Sequence, residues 1–179
     1  MPIARKPKKV LLDTNVWIYY FRSLQDSYEK YADRIRAKEC KDIIDYCKTQ
    51  NVIVVINKKI IYEIEDKCTV LNLFFDKSAI LEIVNNDLGI NYSQEDLDRI
   101  RSLDKEFERT FDHDDMLIYD LAKRQEIDEI ITYDGDFKDC KNIYELNNQK
   151  NNSINKNIEI YHPYDYKIKF IEKVTNYDA

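Results

Sequence analysis

Val52-Ile53-Val54-Val55-Ile56 is a run of five β-branched residues, apolar at odd and even positions alike. Such side chains favour extended backbone, and a strand apolar on both faces belongs in a parallel sheet with helices above and below. Asn57 follows as a cap for a helix from Lys58 to about Lys67. Upstream, helical character runs from Val16 to about Tyr46. Ile35, Ile43, Ile44 and Cys47 recur there at helical spacing, with a break at Ser23 to Ser27. Before that helix stands Val10-Leu11-Leu12, apolar and without helical period. It predicts a buried strand ending at Asp13, with Thr14 or Asn15 capping the next helix.

The pattern repeats downstream. A helix is expected over Val70 to Val84, then a loop at Asn85-Asn86-Asp87-Leu88-Gly89. Ser93 with Asp96 has the form of a capping box opening a helix to about Arg109. Asp112, Asp114 and Asp115 crowd the start of another helix, which runs to about Arg124. Ile130 to Tyr133 reads as a strand ending at Asp134, and Ile158 with Ile160 as a last strand stopped by Pro163. Strands alternating with helices imply a parallel sheet with right-handed crossovers. The expected organisation is one domain over residues 1–179. Its core covers about 9–137 plus a strand at about 158–162, with a basic tail at 1–8 and an exposed polar loop at 147–157.

Apolar residues at 44%, charged residues at 35% and only 2 Gly and 3 Pro suit a helix-rich globular protein. No apolar run reaches the ~20 residues that span a bilayer, so no membrane partner is expected. The basic start is not followed by a long apolar stretch, which excludes a signal peptide and implies a cytoplasmic protein. The four cysteines form no CxxC pair and read as buried thiols in a reducing compartment. A net charge of −6 is the wrong sign for binding nucleic acid by overall charge. Arg5, Lys6, Lys8 and Lys9 form a local basic patch and are the candidate nucleic-acid contacts.

Four apolar stretches adjoin an acid: Val10-Leu11-Leu12-Asp13, Ile60-Ile61-Tyr62-Glu63, Asp115-Met116-Leu117-Ile118 and Ile130-Ile131-Thr132-Tyr133-Asp134. Singly, each has an ordinary explanation: a helix cap at Asp13, a solvated face at Glu63, dipole compensation at Asp115, a turn at Asp134 and Asp136. Gathered together they would repel by roughly 15 kcal/mol, about the stability of a whole domain. Such a cluster persists only by sharing protons or holding divalent cations. Strand carboxyl ends and early helix positions can bring all four to one rim of a parallel sheet.

Leu12-Asp13-Thr14-Asn15-Val16-Trp17-Ile18, then Glu63, Asp115-Met116-Leu117-Ile118 and Ile131-Thr132-Tyr133-Asp134-Gly135-Asp136-Phe137 resemble the PIN-domain nuclease family in order and spacing. The resemblance implies a three-layer α/β/α sandwich with a central parallel, Rossmann-like sheet, whose clustered acids bind Mg²⁺ or Mn²⁺ and cleave RNA. By motif, Asp13, Glu63, Asp115 and Asp134 match the metal-binding catalytic acids, and Asp136 a further metal-binding acid. Asn15 and Thr132 match polar residues that orient the carboxylates. Glu65 competes with Glu63, and Asp112 and Asp114 with Asp115, whose following Met-Leu-Ile fits the motif. Implied partners are RNA, single-stranded or structured, an antitoxin or processing-complex partner, and a second copy in a homodimer. The family includes toxins of toxin–antitoxin pairs and RNA-processing enzymes. The alternative is a PIN-like fold kept as a non-catalytic RNA-binding or assembly module. His113 beside the acids reads as an exposed helix-start residue, and Trp17, Tyr19, Tyr20 and Phe21 cover every side of a helix, so core packing takes most of them.

Overall fold

A computed structural model describes residues 6–107, 112–150 and 157–172. Four parallel strands, β1 (Lys9–Leu12), β2 (Ile53–Val55), β3 (Glu129–Ile131) and β4 (Glu159–Tyr161), form one sheet in the order β2-β1-β3-β4. Helices cover it in a three-layer α/β/α arrangement. They are α1 (Thr14–Gln25), α2 (Tyr31–Thr49), α3 (Lys58–Val70), α4 (Lys77–Ile83), α5 (Gln94–Phe107), α6 (His113–Arg124), α7 (Asp136–Lys150) and α8 (Pro163–Tyr166), followed by a π-helical turn at Lys167–Glu172. No helix among the described residues is long and apolar enough to cross a membrane.

The chain leaves β1 toward β2 on one side and returns to β3 on the other, so the strand order reverses between β1 and β3. Crevices at such switch points, beyond the strand carboxyl ends, are where open α/β sheets bind ligands. Leu12 is paired in register with Ile131, and the Asp13 N–H donates to the Ile131 carbonyl at 3.0 Å. Val10, Leu11, Leu12, Ile130 and Ile131 are completely buried. Trp17, also buried, donates its indole N–H to the Leu12 carbonyl at 3.0 Å. β2 lies at the sheet edge, and its Ile53 and Val55 are half-buried rather than covered on both faces.

Most expected elements are present, with instructive differences. Asp13 itself caps α1, accepting from Thr14 N–H at 2.6 Å, so Thr14 is already helical. Asn57 caps α3, and Ser93 and Asp96 exchange both bonds of the capping box, at 2.9 and 3.2 Å. The helix expected over Val70 to Val84 divides in two. Asn72 takes a left-handed φ of 53° after α3, and Gln25 clamps the intervening stretch by bonding both N–H and C=O of Phe74. Asp76 then starts α4 by accepting from Ser78 and Ala79 N–H. Gly89, at φ 67°, packs so closely that a Cβ there would stand 1.8 Å from the Ile56 carbonyl.

The polar stretch expected as a loop from Asn147 begins instead as the last turn of α7. Phe137, Cys140 and Ile143 anchor that helix in the core. Residues 151–156 lie outside the described part. Pro163 does stop β4, and it opens α8 beneath a His162 cap. All four cysteines are free and buried. Burial pushes the Cys40 and Cys47 thiols up to about 12, so they stay protonated and inert.

Helix α6 is enclosed from Met116 to Ala122, packing against α3, α5 and α7. Its one buried acid, Asp120, is fully engaged. Arg99 of α5 grips both oxygens at 2.9 and 2.7 Å, Tyr144 of α7 donates at 2.9 Å, and Arg124 lies 3.3 Å away. Arg124 also pairs with Asp96 at 3.1 Å. This network fixes the axis of the helix whose first turn carries Asp115.

Candidate metal centre

The loops after β1 and β3, the middle turns of α3 and the first turn of α6 converge on one open hollow of about 370 Å³. It is lined by Asp13, Asn15, Glu63, Asp66, Lys67, Asp112, Asp114, Asp115 and Asp134. The four acids read from the sequence as a group therefore share one cavity. Asp136, which does not line it, stands beside it: Asp115, Asp134 and Asp136 each offer an oxygen within 4.8 Å of the others.

Asp13 is 4% exposed. One of its oxygens accepts from Thr14 N–H, and the other accepts from the Thr132 hydroxyl at 2.8 Å. Thr132 accepts in turn from Asp134 N–H at 2.9 Å, and Asp134 accepts from Asp136 N–H at 2.9 Å. A single hydroxyl thus couples the carboxylate after β1 to the backbone after β3. Glu63 reaches in from α3 and accepts from the Thr14 hydroxyl at 2.5 Å. Asn15 bonds Lys67 at 3.2 Å rather than any carboxylate. Of the two polar residues expected to orient carboxylates, Thr132 bonds Asp13 and Asn15 bonds Lys67.

Asp115 has no hydrogen-bond donor on its carboxylate among the described residues. Burial, reinforced by the charges of Asp13, Asp134, Asp112 and Glu63, pushes it up to about 8. Burial raises Asp13 to about 6, although Thr132 and Thr14 bond its charged form. Asp136, exposed, is raised chiefly by the charge of Asp134. A half-buried carboxylate without donors among other acids is electrostatically incomplete, and a cation beside it removes the deficit. The donors are all carboxylate oxygens, the hard set that suits Mg²⁺ or Mn²⁺ rather than zinc.

Three lining or flanking residues escaped the sequence reading: Lys59, Asp66 and Lys67. Lys59 is 2.8 Å from Asp114 and 3.5 Å from Glu63. Burial works against its charge, but Asp114 and Glu63 outweigh that and hold it above its ordinary value. The spacing Lys59, Glu63, Lys67 was a usable signal, since i±4 neighbours share a helix face. Asp112 caps α6 by accepting from Asp114 N–H at 2.8 Å, and Asp114 pairs with Lys59, so both rivals of Asp115 line the hollow with bonded carboxylates.

The basic patch is not at this site. Lys8 and Lys9 stand at the opposite, amino end of the strands. Lys8 pairs with the buried Glu129, Lys9 donates to the Gln125 carbonyl at 3.1 Å, and Lys6 lies 3.9 Å from Glu126. Arg5 is outside the described residues.

The raised carboxylates link this site to stability. Asp13 and Asp115 bind protons more tightly folded than unfolded, so their contribution is fully present below the ordinary carboxylate range near ~4. It is lost as pH rises through about 6 and about 8. Metal-free protein is therefore expected to melt lower at about pH 8 than at about pH 5. Mg²⁺ or Mn²⁺ should raise Tm more at the higher pH, because cation and proton compete for the same oxygens. Calorimetry with and without chelator measures this; a Tm indifferent to both ions at either pH would count against a metal centre.

A family model described as PIN domain matches residues 9–136, from the first residue of β1 to the start of α7. No curated protein matches the chain.

Proposed function

Because the chain belongs to the PIN-domain family, whose members are typically metal-dependent nucleases acting on RNA, we propose that it is a ribonuclease hydrolysing RNA phosphodiester bonds in the acidic hollow. The observation that carries this reading is the meeting of Asp13, Glu63, Asp115 and Asp134, far apart in the chain, in one cavity. Asp13, Asp115, Asp134 and Asp136 would hold Mg²⁺ or Mn²⁺, with Glu63 holding the same ion or a second. Bound there, a divalent ion supplies charge relief on the phosphoryl oxygens and eases deprotonation of the attacking water.

The chain's own residues do the rest. Thr14 and Thr132 fix both oxygens of Asp13, so its charge is aimed before substrate arrives. Thr14 also steadies the longer Glu63 side chain, and Lys59 limits its swing. Lys59 and Lys67 are the cations nearest the acids and temper the repulsion between the hollow and an approaching phosphate. In cells the reading implies a cytoplasmic enzyme acting alone on RNA or within a toxin–antitoxin or processing complex.

The test is degradation of single-stranded RNA by purified protein. Cleavage is expected with Mg²⁺ or Mn²⁺, none with EDTA, and none from Asp13→Asn, which should fold normally by circular dichroism. Cleavage at the wild-type rate by Asp13→Asn, or in EDTA, would remove the proposal.

A further inference from the structure

Of the four aromatic residues at the start of α1, Trp17, Tyr20 and Phe21 are buried and Tyr19 is not. Tyr19 lies one turn beyond Asn15 on the same face of α1, so that face leads out of the hollow. Its ring meets Tyr133 edge-to-face at 5.4 Å, and Tyr133 meets His162 at 4.9 Å. The exposed Arg36 of α2 sets its guanidinium 5.7 Å from the Tyr19 ring centre and 5.5 Å from that of Tyr133. Tyr133 immediately precedes Asp134, and His162 immediately follows β4. The four residues therefore form a continuous wall along the carboxyl rim, over β3 and β4, starting next to the acids.

The wall is held in place by its polar ends. Arg36 donates to the Tyr19 hydroxyl at 2.9 Å, and Tyr133 donates to Glu39 at 2.8 Å. His162 accepts from Tyr164 N–H through Nδ1 at 3.2 Å, which fixes its ring as the α8 cap. With the edges tied, ring faces and the outer plane of the guanidinium are what remain to offer. Planar π and guanidinium surfaces stack on bases of any identity, but only on bases free of a duplex.

We propose that this wall is a base-stacking platform, on which the nucleotide flanking the cleaved phosphate stacks against Arg36 and His162. The inference rests on the reading of the hollow as the cleavage site. Recognition of this kind is tolerant of sequence and intolerant of base pairing. Arg36 supplies the cation that the distant Lys8 and Lys9 do not.

Two variants separate stacking from charge and from folding. Arg36→Lys keeps the positive charge and loses the plane; His162→Asn keeps a capping acceptor and loses the ring. Tyr133 is left intact because its hydroxyl is bound into the packing around Cys40 and Glu39. Fluorescence anisotropy in EDTA, which prevents cutting, compares a labelled oligoadenylate, an abasic strand of the same length and a duplex. Wild type is expected to prefer oligoadenylate over the abasic strand and the duplex by about fivefold or more, the weak end of the range for one stacked base. Each variant should lose most of that preference while binding the abasic strand as before. Equal binding of oligoadenylate and abasic strand by wild type, or an undiminished preference in both variants, would overturn the platform. The two readings fail separately: a strand that stacks but is never cut with Mg²⁺ or Mn²⁺ sinks the nuclease reading alone, and one cut without any stacking preference sinks only the platform.

Discussion

Asp115→Asn is expected to abolish metal-dependent RNA cleavage while making the metal-free protein more stable near pH 8. Of Asp13, Glu63, Asp115 and Asp134, Asp115 alone accepts no hydrogen bond among the described residues, and burial and the charges of Asp13, Asp134, Asp112 and Glu63 all weigh against its charged form. Changing residues that merely orient a metal ligand costs about 10- to 100-fold in affinity or activity, so losing a ligand should cost at least about 100-fold. The amide has nearly the shape of the protonated acid, the form the fold prefers up to about pH 8, and cannot ionise. The variant's Tm should thus fall less than that of wild type between about pH 5 and about pH 8, and should respond less to Mg²⁺. Cleavage assays and calorimetry on one preparation check both halves. A variant that is inactive but less stable at pH 8 than wild type would mean that Asp115 serves the fold rather than an ion.

The second large effect concerns stability away from the hollow. Asp120→Ala is expected to destabilise the protein by about 3 kcal/mol, at the low end of the 3–5 kcal/mol seen when one partner of a buried pair is removed. The low end applies because Arg99 and Arg124 are both roughly half exposed, so the orphaned charges reach water, whereas Asp120 is 2% exposed. Tyr144 loses its acceptor as well. Against a total of about 5–15 kcal/mol for a typical domain this is a large fraction. Urea denaturation measures it, and Asp120→Asn, which keeps an acceptor for Tyr144, should lose less. A change below about 1 kcal/mol would show that the network adds little beyond the apolar packing of α6.

Local chemistry explains which parts of this architecture were legible in the sequence. β1 and β2 announce themselves through unbroken β-branched or aliphatic runs, and the caps at Asn57 and Ser93 through residues chosen for one hydrogen bond. Asp13, Glu63, Asp115 and Asp134 were readable because each adjoins an apolar stretch, whereas Asp66, between Glu65 and Lys67, does not. Helix α7 was not readable, since Phe137, Cys140 and Ile143 are few and its remaining surface is polar and asparagine-rich. The division between α3 and α4 depends on the left-handed Asn72 and on Gln25, forty-nine residues away, gripping Phe74. That contact is tertiary and leaves no mark on nearby residues. The same holds for the basic tail: its charges were visible, but their neutralisation by Glu126 and Glu129 depends on where β3 lies.

The Thr132 bridge has one more consequence. It ties the turn after β1 to the turn after β3, between residues 119 positions apart in the chain. Until the segment around Asp134 has left the ribosome, Asp13 lacks its hydroxyl clamp, and the hollow lacks one of its walls. A ribonuclease of the proposed kind would then be harmless to the message encoding it for most of its own translation, with competence arriving only as synthesis nears the end of the sheet.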